Sequence, residues 1–280
     1  MQPQVRRAGN GIVECTLTWI PDMKSHRFSL SLLFACALLV ASPDPALAAD
    51  PDGAQRVSFQ TIDRVNIAGL YHPVGTTDEL RPAVLLMHGG NQSKMTWVEV
   101  GLFEALVEQG YHVLSIDIRG RGDSGVGYEV ELKRNPAIAQ RDLVAGLEFL
   151  LAQPGVDPEN LAMIGSSYGS NLIASWMMSN DGAIDINTIV CLSATAVLFH
   201  FPPAHADAAQ HQIHCSGLYV ASDNEIERYK ADETAQRLAD ETAGNSEVKI
   251  YEGRAHAARL LQHVEGSTEL VLDWLDQEFD

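Results

Sequence analysis

The run Met163-Ile164-Gly165-Ser166-Ser167-Tyr168-Gly169 sets a serine between two glycines in the pattern G-x-S-x-G. The chemistry open to such a serine is nucleophilic: a hydroxyl held out from a sharp turn can attack an acyl carbon and carry the acyl group. A neutral hydroxyl is a weak nucleophile, so a base, and a group that orients the base, must come from elsewhere in the chain. Gly165 and Gly169 serve the turn rather than the reaction, because a residue without Cβ lets neighbouring backbone approach closely. Three fixed positions recur by chance in unrelated chains, so the flanking segments carry the inference.

Those flanks fit. Asn160 to Ile164 reads as a short buried strand, and Leu172, Ile173, Trp176 and Met177 recur at helical spacing after Ser167. Further strands are expected at Arg56–Thr61, Val65–Tyr71, Pro82–Met87, Tyr111–Ile118, Thr188–Leu192, Gly217–Ala221 and Glu247–Tyr251. Pro82–Met87 is apolar throughout, as a central strand covered on both faces must be. Helices are expected over Met95–Gln109 with Gly110 as stop, from Asn135-Pro136 to Gln153-Pro154-Gly155, and from Ser267 to the end. Strands followed by helices in this order give an α/β fold with a mostly parallel sheet of about eight strands. No repeat or linker divides residues 49–280, which read as a single domain.

The beginning of the chain reads differently. Met23-Lys24-Ser25-His26-Arg27, apolar Phe28 to Ala41, and Ala46-Leu47-Ala48 have the order of a secretory signal ending in a small-residue cleavage site. Residues 23–48 are therefore expected to be removed, residues 1–22 to be an extension ahead of the working start, and the remainder to be periplasmic or secreted. The apolar run is short for a bilayer span, so no membrane association is expected after removal. A formal net charge of −18 disfavours nucleic acid and anionic membrane as partners. Cys191 and Cys215 remain beyond the signal, and their spacing is compatible with a disulfide between neighbouring strands or with two separate buried thiols. Oligomeric state leaves no mark on the sequence. The charged stretch Glu225 to Glu241 reads as a solvated helix face.

Across roughly residues 55–280 this organisation resembles the α/β-hydrolase superfamily. His88-Gly89-Gly90 after a buried strand is similar to the family's oxyanion loop, and Asp117-Ile118-Arg119-Gly120-Arg121-Gly122-Asp123-Ser124 to its D-x-R-G-x-G-x-S run. Serine esterases without a large cap, of dienelactone-hydrolase-like type, look nearest. The resemblance implies Ser167 as nucleophile and His256, past the last strand, as its base; where the family often has glycine next, this chain has Ala257. It implies an acid after the preceding strand, either Glu225, which is preferred, or Asp223. It also implies an oxyanion hole from the backbone N–H of Tyr168 and that of Gly90, with Asn91 as alternative.

Other groups read as structural. Asp117, Arg119 and Asp123 suit an ion-pair network holding the loop edge, and His88 a supporting role. The separations of His200, His205, His211 and His214 match no compact zinc motif, so neither metal nor organic cofactor is expected. Phe199–Gln212 sits where the superfamily inserts a cap but is too short for a helical one, so an open site is expected, with Phe199, Phe201, Pro202, Pro203 and these histidines as candidate lining. These features imply a hydrolase of small ester or acyl substrates working through an acyl-enzyme. The alternatives are a peptidase or acyltransferase on the same residues, or a hydrolase-like binding protein without catalysis.

Overall fold

The computed structural model describes residues 49–125, 136–179, 184–196 and 212–279, all within one compact unit, Pro45–Asp280. Its eight strands are β1 Gln55–Gln60, β2 Asn66–His72, β3 Arg81–Met87, β4 His112–Ile116, β5 Val156–Ser166, β6 Thr188–Leu192, β7 Ser216–Ser222 and β8 Ser246–Tyr251. They form one sheet in the order β1-β2-β4-β3-β5-β6-β7-β8. β2 runs antiparallel to both β1 and β4, and every pair from β4 to β8 is parallel.

The helices are α1 Thr96–Glu99, α2 Leu102–Glu108, α3 Gln140–Leu151, α4 Tyr168–Met177, α5 Ala231–Asp240, α6 Leu260–His263 and α7 Ser267–Phe279. The apolar run in β3 is explained by two cores. Alternate residues face opposite sides of a strand, so Ala83, Leu85 and Met87 join one buried cluster with Leu143, Leu147, Leu172 and Leu238. Val84 and Leu86 join a second cluster with Leu102, Phe103, Val271 and Trp274. Trp274 also donates its indole N–H to the Thr188 hydroxyl at 2.7 Å, tying α7 to β6.

Two expected elements differ. The single helix Met95–Gln109 is broken into α1 and α2 because Gly101 adopts φ 78, a left-handed conformation that ends the first turn and redirects the chain. The strand before Ser167 extends back to Val156, farther than its apolar part, since β3 supplies pairing partners from Arg81 onward. Pro136 opens a 3-10 turn leading into α3, and Asn135 lies outside the described residues.

Both cysteines are free and buried. Cys191 faces Tyr219 across the β6–β7 pair, whereas Cys215 lies four residues earlier, about 13 Å along the strand. A disulfide needs Cα atoms within about 7 Å, so the two remain separate thiols. Burial pushes the Cys215 thiol up to about 12, which keeps it protonated and unreactive.

Candidate active site

The carboxyl ends of β3, β5, β6, β7 and β8 converge on one edge of the sheet, where their following loops meet. Ser167 continues the ladder one step beyond β5, its N–H donating to Leu192 O at 2.8 Å. The chain then turns sharply: Ser167 has φ 49 and ψ −107, a conformation costing about 1–3 kcal/mol for a residue with a side chain. The flanking glycines show why it can. A Cβ on Gly169 would sit 2.1 Å from Met87 O, and one on Gly165 would sit 2.5 Å from Ser170 N. Both are excluded contacts, so α4 packs against β3 and β5 at backbone distance only with glycine at each position.

His256, on the loop after β8, places Nε2 3.0 Å from Ser167 Oγ. Its Nδ1 donates to Glu225 Oε2 at 2.5 Å. The other carboxylate oxygen, Oε1, accepts from the Ser193 hydroxyl at 2.7 Å and from the Ser222 N–H at 3.0 Å. The Glu225 side chain is 3% exposed and that of His256 28%, so the carboxylate is enclosed while the imidazole reaches solvent. Because Glu225 offers only acceptors, the imidazole carries its proton on Nδ1 and leaves Nε2 to accept from Ser167.

Asp223 is not brought to the histidine. Its carboxylate accepts the Gly253 N–H at 2.9 Å and the Asn224 amide at 3.0 Å, bracing the loop that carries His256. That loop is pinned twice more: Ala257 N–H donates to Ser193 Oγ at 2.8 Å, and the Ser222 hydroxyl donates to Ala255 O at 2.9 Å. Ala257 has φ 59, so this chain holds with alanine a left-handed turn that glycine would adopt without strain. The Tyr229 ring lies over the imidazole, centroids 5.1 Å apart at 32°. Ser193, Ser222 and Tyr229 were not picked out from sequence. The available signal was position, since Ser193 and Ser222 close β6 and β7 at the same sheet edge as Ser167.

Gly90 and Asn91 begin the turn after β3, and neither N–H has a partner among the described residues. Gly90 packs against Tyr168, with a Cβ built on it 3.7 Å from Tyr168 Cβ. The neighbouring Gly89 N–H is taken by Gln92 Oε1 at 2.9 Å, which holds this turn in shape.

His88 supports that turn from below. Fully buried, it donates from Nδ1 to Gly89 O at 2.6 Å and accepts the Ile118 N–H on Nε2 at 3.0 Å. Burial pushes its pKa down to about 4, and protonation would cost the Ile118 bond. The unfolded chain, near 6.5, binds the proton first, so this contribution is complete above pH 6.5 and is lost as pH falls towards 4. We expect urea unfolding to show on the order of 3 kcal/mol of such loss between pH 6.5 and 4. His88→Gln, which keeps an acceptor for Ile118 but does not titrate, should flatten that slope.

Asp117, Arg119 and Asp123 are structural, but they form two networks rather than one. Buried Lys94 bridges Asp117 and Asp123, each at 2.7 Å. Buried Arg119 reaches Asp63 at 2.8 Å and Asp142 at 2.7 Å, and its guanidinium holds the Asp63 carboxyl well below the usual carboxylate range. Among the described residues no three His, Cys, Asp or Glu side chains group as metal ligands. No helix there is long and apolar enough to cross a membrane. Of the sequence's histidine cluster only His214 is described; His200, His205 and His211 lie outside the described residues, as do Phe199, Phe201, Pro202 and Pro203.

A family model for Hydrolase_4, serine aminopeptidase S33, matches residues 78–243. Over 128 residues the chain is 30% identical to dipeptidyl aminopeptidase BIII of Pseudoxanthomonas mexicana, a match covering 45% of this chain and 18% of that enzyme. Esterase Pf2001 of Pyrococcus furiosus superimposes with a TM-score of 0.62 at 18% identity, covering 81% of this chain and 93% of the esterase. Dienelactone hydrolase of Anabaena variabilis gives 0.56 at 15% identity, covering 81% and 97%. These likenesses show the α/β-hydrolase fold, with no cap domain among the described residues.

Proposed function

We propose that this chain, which belongs to the Hydrolase_4 family (serine aminopeptidase, S33), is an exported carboxylic ester hydrolase that works through an acyl-enzyme. The observation that carries the reading is the unbroken hydrogen-bond path from Ser167 through His256 to buried Glu225. In this reading Ser167 Oγ attacks the ester carbonyl while His256 Nε2 takes its proton. Charge gathers on the carbonyl oxygen, which accepts from the N–H groups of Tyr168 and Gly90, with Asn91 as the alternative donor. Each such donor is worth about 2.7–4 kcal/mol in the transition state. The tetrahedral species collapses as His256 returns the proton to the departing alcohol, leaving the acyl group on Ser167. Water, deprotonated by the same imidazole, then releases the acid and restores the serine. Glu225 holds the imidazole tautomer and offsets its positive charge, and Tyr229 holds the ring plane. In this reading the chemistry calls for no metal or organic cofactor. Export rests on the signal-like order within residues 23–48.

The family description and the dipeptidyl aminopeptidase likeness favour a second reading, in which the same residues cleave an aminoacyl amide. A panel of p-nitrophenyl esters of rising acyl length, assayed beside aminoacyl p-nitroanilides, separates the two. The ester reading expects kcat/KM to be larger for at least one ester than for every anilide. Turnover confined to the anilides would replace it with the peptidase reading.

A further inference from the structure

His256 lines one of two neighbouring cavities. The first, about 360 Å³, is lined by Arg254, Ala255, His256, Arg259 and His263. The second, about 460 Å³, runs beside the turn after β3 and includes Asn91, Glu99 and Gln262. Arg259 lines both, so the two cavities adjoin at its side chain.

The charge of the first cavity runs against that of the molecule. The chain has 37 acidic and 19 basic Lys and Arg residues, yet this cavity holds two arginines and a histidine besides His256, with no carboxylate in its lining. Most described lysines and arginines are spent on carboxylates: Arg56, Arg81, Lys94, Arg119, Arg141, Lys230 and Arg237 each form an ion pair. Arg254 and Arg259 form neither an ion pair nor a side-chain hydrogen bond among the described residues, and both are exposed. Two unpaired guanidinium groups beside a histidine, in a concave site, make a receptor for a planar or tetrahedral oxyanion.

The side of the reaction follows from proton transfer. His256 gives its proton to the departing oxygen, so the departing portion must lie against the imidazole. The cavity walled by that imidazole therefore receives the leaving group rather than the acyl chain. We propose that the leaving group of the natural substrate carries an anion, a carboxylate or a phosphate, held by Arg254 and Arg259 with His263 as a further donor. The proposal rests on the ester hydrolase reading above and narrows it to esters of anionic alcohols.

The test keeps the acyl group constant: 3-acetoxybenzoate, its uncharged methyl ester, and 3-acetoxyphenyl phosphate are compared on wild type and the Arg254→Gln/Arg259→Gln double variant. Wild type should prefer an anionic ester to the neutral one by about tenfold in kcat/KM, mainly through KM, and the double variant should bring that ratio near one. Whichever anion is preferred identifies carboxylate or phosphate. Equal ratios in the two proteins would overturn the proposal. NMR titration of the same ligands into Ser167→Ala, with and without the two arginine substitutions, reads the anion site without turnover. Binding of an anionic ester about tenfold tighter than the neutral one, lost with the arginines, supports the site even if wild type hydrolyses no ester, an outcome that would sink only the ester reading. Equal binding of charged and neutral ligands there refutes the anion site by itself.

Discussion

Ser167→Ala is expected to lower kcat for ester hydrolysis by about a millionfold while leaving the fold intact. The size follows from the division of labour: without Oγ there is no acyl-enzyme, and what remains is binding and the oxyanion donors acting on bulk water. The fold should persist because the side-chain oxygen makes one described hydrogen bond, to His256, and the imidazole keeps its bond to Glu225. The Ser167 backbone keeps its place in the ladder through Leu192 O, and alanine has the same Cβ at φ 49. Circular dichroism and a thermal melt check the fold, and p-nitrophenyl ester turnover checks the rate. A folded variant with wild-type turnover would remove Ser167 from the mechanism.

Glu225→Gln should lower kcat by about 10⁴, more than its loss of charge alone suggests. The reason lies in the groups that face each oxygen. Ser222 N–H and the Ser193 hydroxyl both donate to Oε1, so a glutamine is pushed to keep its oxygen on that side and turn its amide nitrogen towards His256. That nitrogen donates to Nδ1, which forces the imidazole proton onto Nε2, and an Nε2–H cannot accept the proton of Ser167. Asp223→Asn is the matched control: its carboxylate braces the Gly253 turn without touching the imidazole, so kcat should fall by less than about tenfold. If Asp223→Asn proved the more damaging, the acid would have been assigned to the wrong residue.

How much of this was legible in the sequence depended on whether each contact is local. The strands and the Ser167 turn were readable because burial on both faces leaves an apolar run such as Ala83 to Met87, and because Gly165 and Gly169 mark places where no Cβ fits. His256 came from chain order and resemblance rather than from its neighbours. Glu225 is preferred over Asp223 in the sequence only by its place in the resemblance, since both follow β7 within a few residues. The loop's curl decides: it buries Glu225 between Ser193 and His256 and turns Asp223 towards Gly253. The structural role of Asp117 and Arg119 was visible in their type, but Lys94, Asp63 and Asp142 are distant in sequence and only the folded chain selects them. Arg254 and Arg259 belong to no motif in the sequence, and only the fold sets them around one cavity with no carboxylate in its lining.

The most direct measurement is fluorophosphonate labelling of the purified protein, with the adduct located by mass spectrometry. One adduct is expected, on Ser167, absent from Ser167→Ala and formed far more slowly in Glu225→Gln. A folded wild type that takes no label, or takes it at another residue, would contradict it.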